Sequence, residues 1–87
     1  MFVQNDLGAS LFKTWNDKQR RDEIEKLVQG YRSGLPVGIL CTMAETIAGS
    51  RKRARKHLHA LLSDEERKNA IARESGGMML IVKEFLG

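Results

Sequence analysis

GLPVGILCTMAETIAGSRKRARKHLHALL, residues 34–62, is the stretch that decides the fold of this chain. An almost wholly apolar segment, residues 37–48, is joined through Gly49 and Ser50 to a segment with five basic side chains in six positions, residues 51–56. Glycine readily takes the left-handed conformation that ends a helix, and serine accepts hydrogen bonds from the free N–H groups that begin one. The stretch therefore predicts two helices joined by a short turn.

The first helix of this pair is expected from Val37 to Ala48, directly after Pro36, whose fixed φ suits the first turn of a helix. Its apolar face consists of Val37, Leu40, Cys41, Ala44, Ile47 and Ala48. A face this broad predicts a central packing helix. Because the segment also contains β-branched residues and Gly38, a short strand near residues 35–40 is the alternative.

The second helix of the pair is expected from Arg51 to Leu62. Helical spacing places four apolar residues on one face, with His57 beside them: Ala54, Leu58, Leu61 and Leu62. The remaining surface carries the basic run and His59. One side of this helix should therefore pack on the core, and the other side should be positively charged.

Upstream, helical spacing predicts a short helix over residues 6–15 and a longer one from Asp17 to Arg32, capped by Asn16. The two could also run together through Asn16. The longer helix would turn Ile24, Leu27, Val28 and Tyr31 inward. It would leave Lys18, Gln19, Arg20, Arg21 and Glu25 in solvent.

Downstream, Ser63 followed by Glu66 has the form of a capping box, which predicts a helix to about Glu74. The apolar segment after Gly76-Gly77, residues 78–86, is too short to distinguish a helix from a strand by periodicity. The expected fold class is mainly α, a small helical bundle forming one domain over residues 1–87. The alternative is a winged helix, in which residues 69–75 and 78–85 form a C-terminal β-hairpin.

The charge of the chain is concentrated at one place. The 87 residues include 15 basic and 11 acidic ones, and without the basic residues of 51–56 the count is 10 against 11. A concentrated patch on a neutral background predicts an oriented contact with a polyanion. The 41% apolar content contains no run long enough to span a membrane, and no signal sequence is recognisable, so a cytoplasmic protein is expected. Cys41, the single cysteine, is expected to be a buried reduced thiol.

Positive charges in the first turn of a helix oppose the helix dipole, at roughly 0.3 to 1 kcal/mol each when exposed. A phosphate bound there would reverse the sign of that cost, because the free N–H groups, the dipole and the cations all attract an anion. The basic helix start is therefore predicted to bind nucleic acid. The candidate binding residues are Ser50, Arg51, Lys52, Arg53, Arg55, Lys56 and His59.

Two packed helices with a tight glycine-containing turn, the second of them basic, resemble a helix-turn-helix unit over about 25 residues. Glu45 stands where such units usually have a small residue, and Arg55 stands where an apolar contact is common. The resemblance implies that basic residues of the second helix face the duplex. Arginine would be suited to reading guanine and lysine to binding phosphate.

The sequence gives little support for metal binding, catalysis or a cofactor. His57 and His59 point about 200° apart on a helix, so they cannot hold one metal ion together, and no catalytic group or cofactor motif is recognisable. The sequence favours a non-enzymatic, homodimeric protein that binds double-stranded DNA, as a transcriptional regulator or accessory factor of bacterial or phage origin. The alternative is a small inhibitor or adaptor whose basic face meets an acidic protein, and RNA binding is a third possibility.

Overall fold

The described part of the chain folds into α-helices connected by short turns. The computed structural model describes residues 14–74 and 76–87, and within these ranges it contains five α-helices and no strand. They are α1 (Asp17–Arg32), α2 (Val37–Ala48), α3 (Arg51–Leu61), α4 (Asp64–Arg73) and α5 (Met79–Leu86), with a 3₁₀ turn, Gly76–Met78, before α5. The mainly α fold class is thus confirmed for the described residues.

The beginning of α1 shows how it is separated from the residues before it. The Oδ1 atom of Asn16 accepts a hydrogen bond from the N–H of Gln19 at 2.8 Å, and the Gln19 side chain accepts one from the N–H of Asn16 at 2.9 Å. Trp15 is not helical. The helix predicted over residues 6–15 otherwise lies outside the described residues, and it does not continue into α1.

The turn between α2 and α3 has two residues, as predicted. Gly49 takes the left-handed conformation, with φ 88°, and its N–H donates to the carbonyl of Glu45. Ser50 then caps α3 by accepting from the N–H of Arg53 at 3.2 Å. A side chain at position 49 would be strained at this φ, so glycine here is a requirement of the turn.

The central helix of the fold is α2, which packs against α1, α3 and α5. All six residues of its predicted apolar face are buried, so the strand alternative at residues 35–40 is wrong. The buried apolar residues on the other helices are Ile24, Val28, Ala54, Leu58, Ala70, Val82, Phe85 and Leu86, with Leu62 directly after α3. Cys41 is fully buried as a free thiol, and burial raises its pKa to about 12.

The winged-helix alternative is wrong, because both of its strand segments are helical in the described residues. Residues 69–73 belong to α4, which starts with the predicted capping box: Ser63 accepts from the N–H of Glu66 at 3.1 Å, and Glu66 accepts from the N–H of Ser63 at 3.0 Å. The segment from 79 onward is α5, whose buried residues Val82, Phe85 and Leu86 have helical spacing.

Arg20 was expected in solvent, and this expectation is wrong. Its side chain is only 8% exposed and reaches from α1 to the end of α2, where it donates to the carbonyl of Ile47 at 2.6 Å. Its Nε also donates to the carbonyl of Trp15 at 3.1 Å. Arg20 therefore stabilises the C-terminal end of α2, directly before the turn that places α3.

Candidate nucleic-acid interface

The exposed side of α3 carries a shallow, open groove. The groove is lined by Ser50, Lys52, Arg53, Arg55, Lys56 and His59. These are the residues predicted for the binding site, with the exception of Arg51. The opposite side of α3 is buried through Ala54, His57 and Leu58, so the helix has the two faces that its sequence predicts.

Three cations on this surface are left without an internal counter-charge. Lys52, Arg53 and Lys56 are exposed, and within the described part of the chain their side chains make no hydrogen bond or ion pair. Lys52 and Arg53 lie in the first turn of α3, which contains no acidic residue. Here the side-chain charge and the positive end of the helix dipole add to each other, producing a local field that attracts anions.

Arg51 has a different environment from its neighbours. Its guanidinium forms ion pairs with Glu45 of α2, at 3.3 Å, and with Glu84 of α5. It also lies over the ring of Phe85, 5.3 Å from the ring centroid, where a cation–π interaction is favourable. Glu45 chiefly, and then Glu84, raises the pKa of Arg51. In this structure Arg51 joins three helices and does not line the groove.

Arg55 lines the groove, and it also fixes the end of α5. Its guanidinium donates to the carbonyl of Glu84 at 2.9 Å and to the carbonyl of Gly87 at 2.8 Å. The last carbonyls of a helix have no partner within the helix, so these bonds satisfy groups that would otherwise depend on water. Arg55 therefore has two roles: it holds the end of α5 and it lines the groove.

His59 lies at the inner edge of the groove and is half-buried. Its Nε2 atom is buried without a hydrogen-bond partner among the described residues. Burial, with the nearby charges of Arg67 and Arg55, lowers the pKa of His59 despite opposing effects from the carbonyl of Phe85 and from Asp64. The lowered pKa favours the neutral form of His59.

His57 belongs to the core, where the sequence placed it beside the apolar face. It is 1% exposed, and its Nδ1 atom accepts a hydrogen bond from the Nε of Arg21 at 3.3 Å. Burial is the main cause of its lowered pKa, followed by the charge of Arg21. Arg21, which was expected to be left in solvent, thus connects α1 to α3.

The carboxylates that hold Arg51 were not identified from the sequence. Glu45 had a usable signal, because it lies six residues before Arg51 across a turn that brings α2 and α3 together. Glu84 had none, because it is 33 residues away and its position depends on how α5 packs. The fold therefore places two carboxylates at one edge of the basic surface, and the local sequence pattern does not predict the position of Glu84.

Among the described residues, no group of three or more histidine, cysteine, aspartate or glutamate side chains is arranged to hold a metal ion. No helix in the same ranges is both long and apolar enough to cross a membrane. Comparison of the chain with protein-family models, with curated proteins and with solved structures found no match.

Proposed function

We propose that this protein binds double-stranded DNA without catalysis, and that α3 makes the contact. The observation that carries the proposal is the presence of three exposed, internally uncompensated cations at the start of one helix: Lys52, Arg53 and Lys56. Residues three and four apart are neighbours on a helix surface, so Arg53 and Lys52 both lie beside Lys56. Such a cluster can neutralise neighbouring phosphates and release their counterions.

In the proposed complex, α2 and α3 act as a helix-turn-helix unit. The role of α2 is to support α3 from the core, and the first turns of α3 approach the major groove. Arg51 contacts both α2 and α5, and Arg55 contacts α5. Arg53 is therefore the arginine of this run best suited to read a guanine edge. Lys52 and Lys56 would bind phosphates and position the helix.

The biological setting that we propose is gene regulation in a bacterium or a bacteriophage, as a regulator or accessory factor. One short helix reads too few base pairs for useful specificity, so we propose that the protein binds as a homodimer on two half-sites. Light scattering with and without a DNA duplex measures the number of chains in the complex.

The test compares two triple variants for binding to a fluorescent DNA duplex of random sequence. K52Q/R53Q/K56Q removes the proposed contacts, and K18Q/K26Q/K68Q removes the same net charge from exposed residues of α1 and α4. The first should bind at least about tenfold more weakly than wild type at low salt, and the second should bind nearly as well. Far-UV circular dichroism checks that both variants remain helical.

Equal weakening by both triple variants would mean that only net charge matters, and the assignment to α3 would fail. No salt-sensitive DNA binding by the wild type would overturn the whole proposal. In that case the same titration with a single-stranded RNA and with an acidic polypeptide would test the two alternative partners.

A further inference from the structure

Arg51 is the first residue of α3 and a direct neighbour of Lys52, yet its charge is directed away from the groove. Glu45 and Glu84 approach its guanidinium from two different helices, and Phe85 lies beneath it. Phe85 is buried and Ser50 caps the start of α3, so the backbone of Arg51 is well fixed. The position of its charge thus depends on which anions its side chain contacts.

The ion pairs of Arg51 are of a kind that a polyanion can replace. The side chain of Arg51 is 50% exposed, that of Glu84 is 53% exposed and that of Glu45 is 36% exposed. Ion pairs at such exposure contribute little to stability, because water and salt screen them. A phosphate backbone held at Lys52 and Arg53 would present a dense negative charge next to the same guanidinium.

We infer that Glu45 and Glu84 compete with DNA for Arg51. Arg51 then contributes its charge to the binding surface only when DNA displaces a carboxylate. In the free protein the two carboxylates hold it, and on a duplex it exchanges Glu84, the more exposed of them, for a phosphate. The exchange lowers the affinity for DNA below what the basic run alone would give. This inference rests on the proposed function and concerns how the same surface is regulated.

The first test is the variant Glu84→Gln, which removes the charge and retains the size of the side chain. The carbonyl of Glu84, which accepts from Arg55, is unchanged by the substitution. E84Q should bind a random DNA duplex about fivefold more tightly than wild type, since an exposed ion pair contributes at most about the free energy of such a factor. E45Q should act in the same direction.

The matched control is Glu65→Gln. Glu65 is an exposed carboxylate of α4, beyond the C-terminal end of α3, and makes no hydrogen bond or ion pair in the described part of the chain. The change in net charge is the same as in E84Q, but it lies far from the basic helix start. E65Q should strengthen binding much less than E84Q does.

The decisive comparison is made in the background Arg51→Gln. If Glu84 acts by holding Arg51, E84Q should give no gain when Arg51 is absent, and the double-mutant cycle should show coupling. A gain that persists in R51Q, or equal effects of E84Q and E65Q, would overturn the inference while the proposed function stands. Absence of DNA binding by the wild type would overturn both.

Discussion

Three arginines have three different roles in this protein. Arg20 is buried and stabilises the end of α2, Arg51 joins three helices, and Arg53 is exposed without a partner among the described residues. The difference arises because the fold places different groups beside each arginine, whereas the side chain is the same in all three cases. Arginine can take all three roles because its planar group offers five donors and stays charged.

At this scale we predict that Arg20→Ala lowers the free energy of unfolding by about 2 to 3 kcal/mol. The carbonyl of Ile47 would lose a donor at 2.6 Å in a buried environment, and leaving such a group unsatisfied is costly. Urea unfolding followed by circular dichroism measures the change. Arg73→Ala is the control, since Arg73 is exposed and makes no contact of this kind within the described residues; equal effects of the two would contradict the role of Arg20.

Element boundaries were predicted well where the signal is local. Asn16 and Ser63 cap their helices as expected, and Gly49 ends α2, because each depends on residues within one helical turn. The conformation of α5 was not decided by its sequence. Its helix is favoured by tertiary packing of Val82, Phe85 and Leu86, and a pattern of nine apolar-rich residues does not contain that information.

The capping box of α4 also joins distant elements. Glu66 receives a bidentate contact from Arg32 of α1, at 2.8 and 3.0 Å, in addition to the N–H of Ser63. These contacts, with Arg32 the larger contributor, lower the pKa of Glu66 to about 2. The beginning of α4 is thus fixed both by local capping and by the end of α1.

We predict that Ser63→Ala lowers the free energy of unfolding by about 1 kcal/mol, because the N–H of Glu66 loses its acceptor. Chemical denaturation is again the measurement. The matched control is Ser33→Ala after α1, where the side chain makes no hydrogen bond within the described residues. If S33A destabilises the protein as much as S63A, the cap is not the cause.

For the molecule as a whole, the sequence located the basic surface but not its boundaries. Six of the seven predicted residues line one groove, because they are adjacent on one helix and share an exposed face. The ion pairs of Arg51 were not predicted, since its two carboxylates come from other elements. Arg20 was misplaced because nothing local distinguishes a solvent-facing arginine from one that reaches another helix. Arg21 is exposed as expected, and only its contact with His57 was not predicted.

The two histidines predict how the stability of the whole protein depends on pH. The pKa of His57, which is influenced by Arg21, Asp17, Lys56 and Arg20, and the pKa of His59 are both lowered on folding. Below the unfolded pKa of about 6.5, the unfolded chain therefore binds protons that the folded chain does not. Protonation of these two histidines should therefore not change the free energy of unfolding above that pH, and should lower it as the pH falls below.

Urea unfolding at about pH 7.5 and about pH 5.5 measures this dependence on the two sides of the histidine range. A lower midpoint at the acidic pH is expected. An unchanged or higher midpoint would show that the histidines are not held neutral by the fold.

The central claim, that the start of α3 binds the phosphate backbone of DNA, is tested most directly by the salt dependence of binding. Affinity for a random duplex should be measured between about 50 and about 200 mM salt, for the wild type and for K52Q/R53Q/K56Q. The wild type should show a slope of about −3 to −4 for each bound chain in a plot of log K against log salt, and the variant a much shallower slope. A wild-type affinity that does not change with salt, or equal slopes for the two proteins, would contradict the claim.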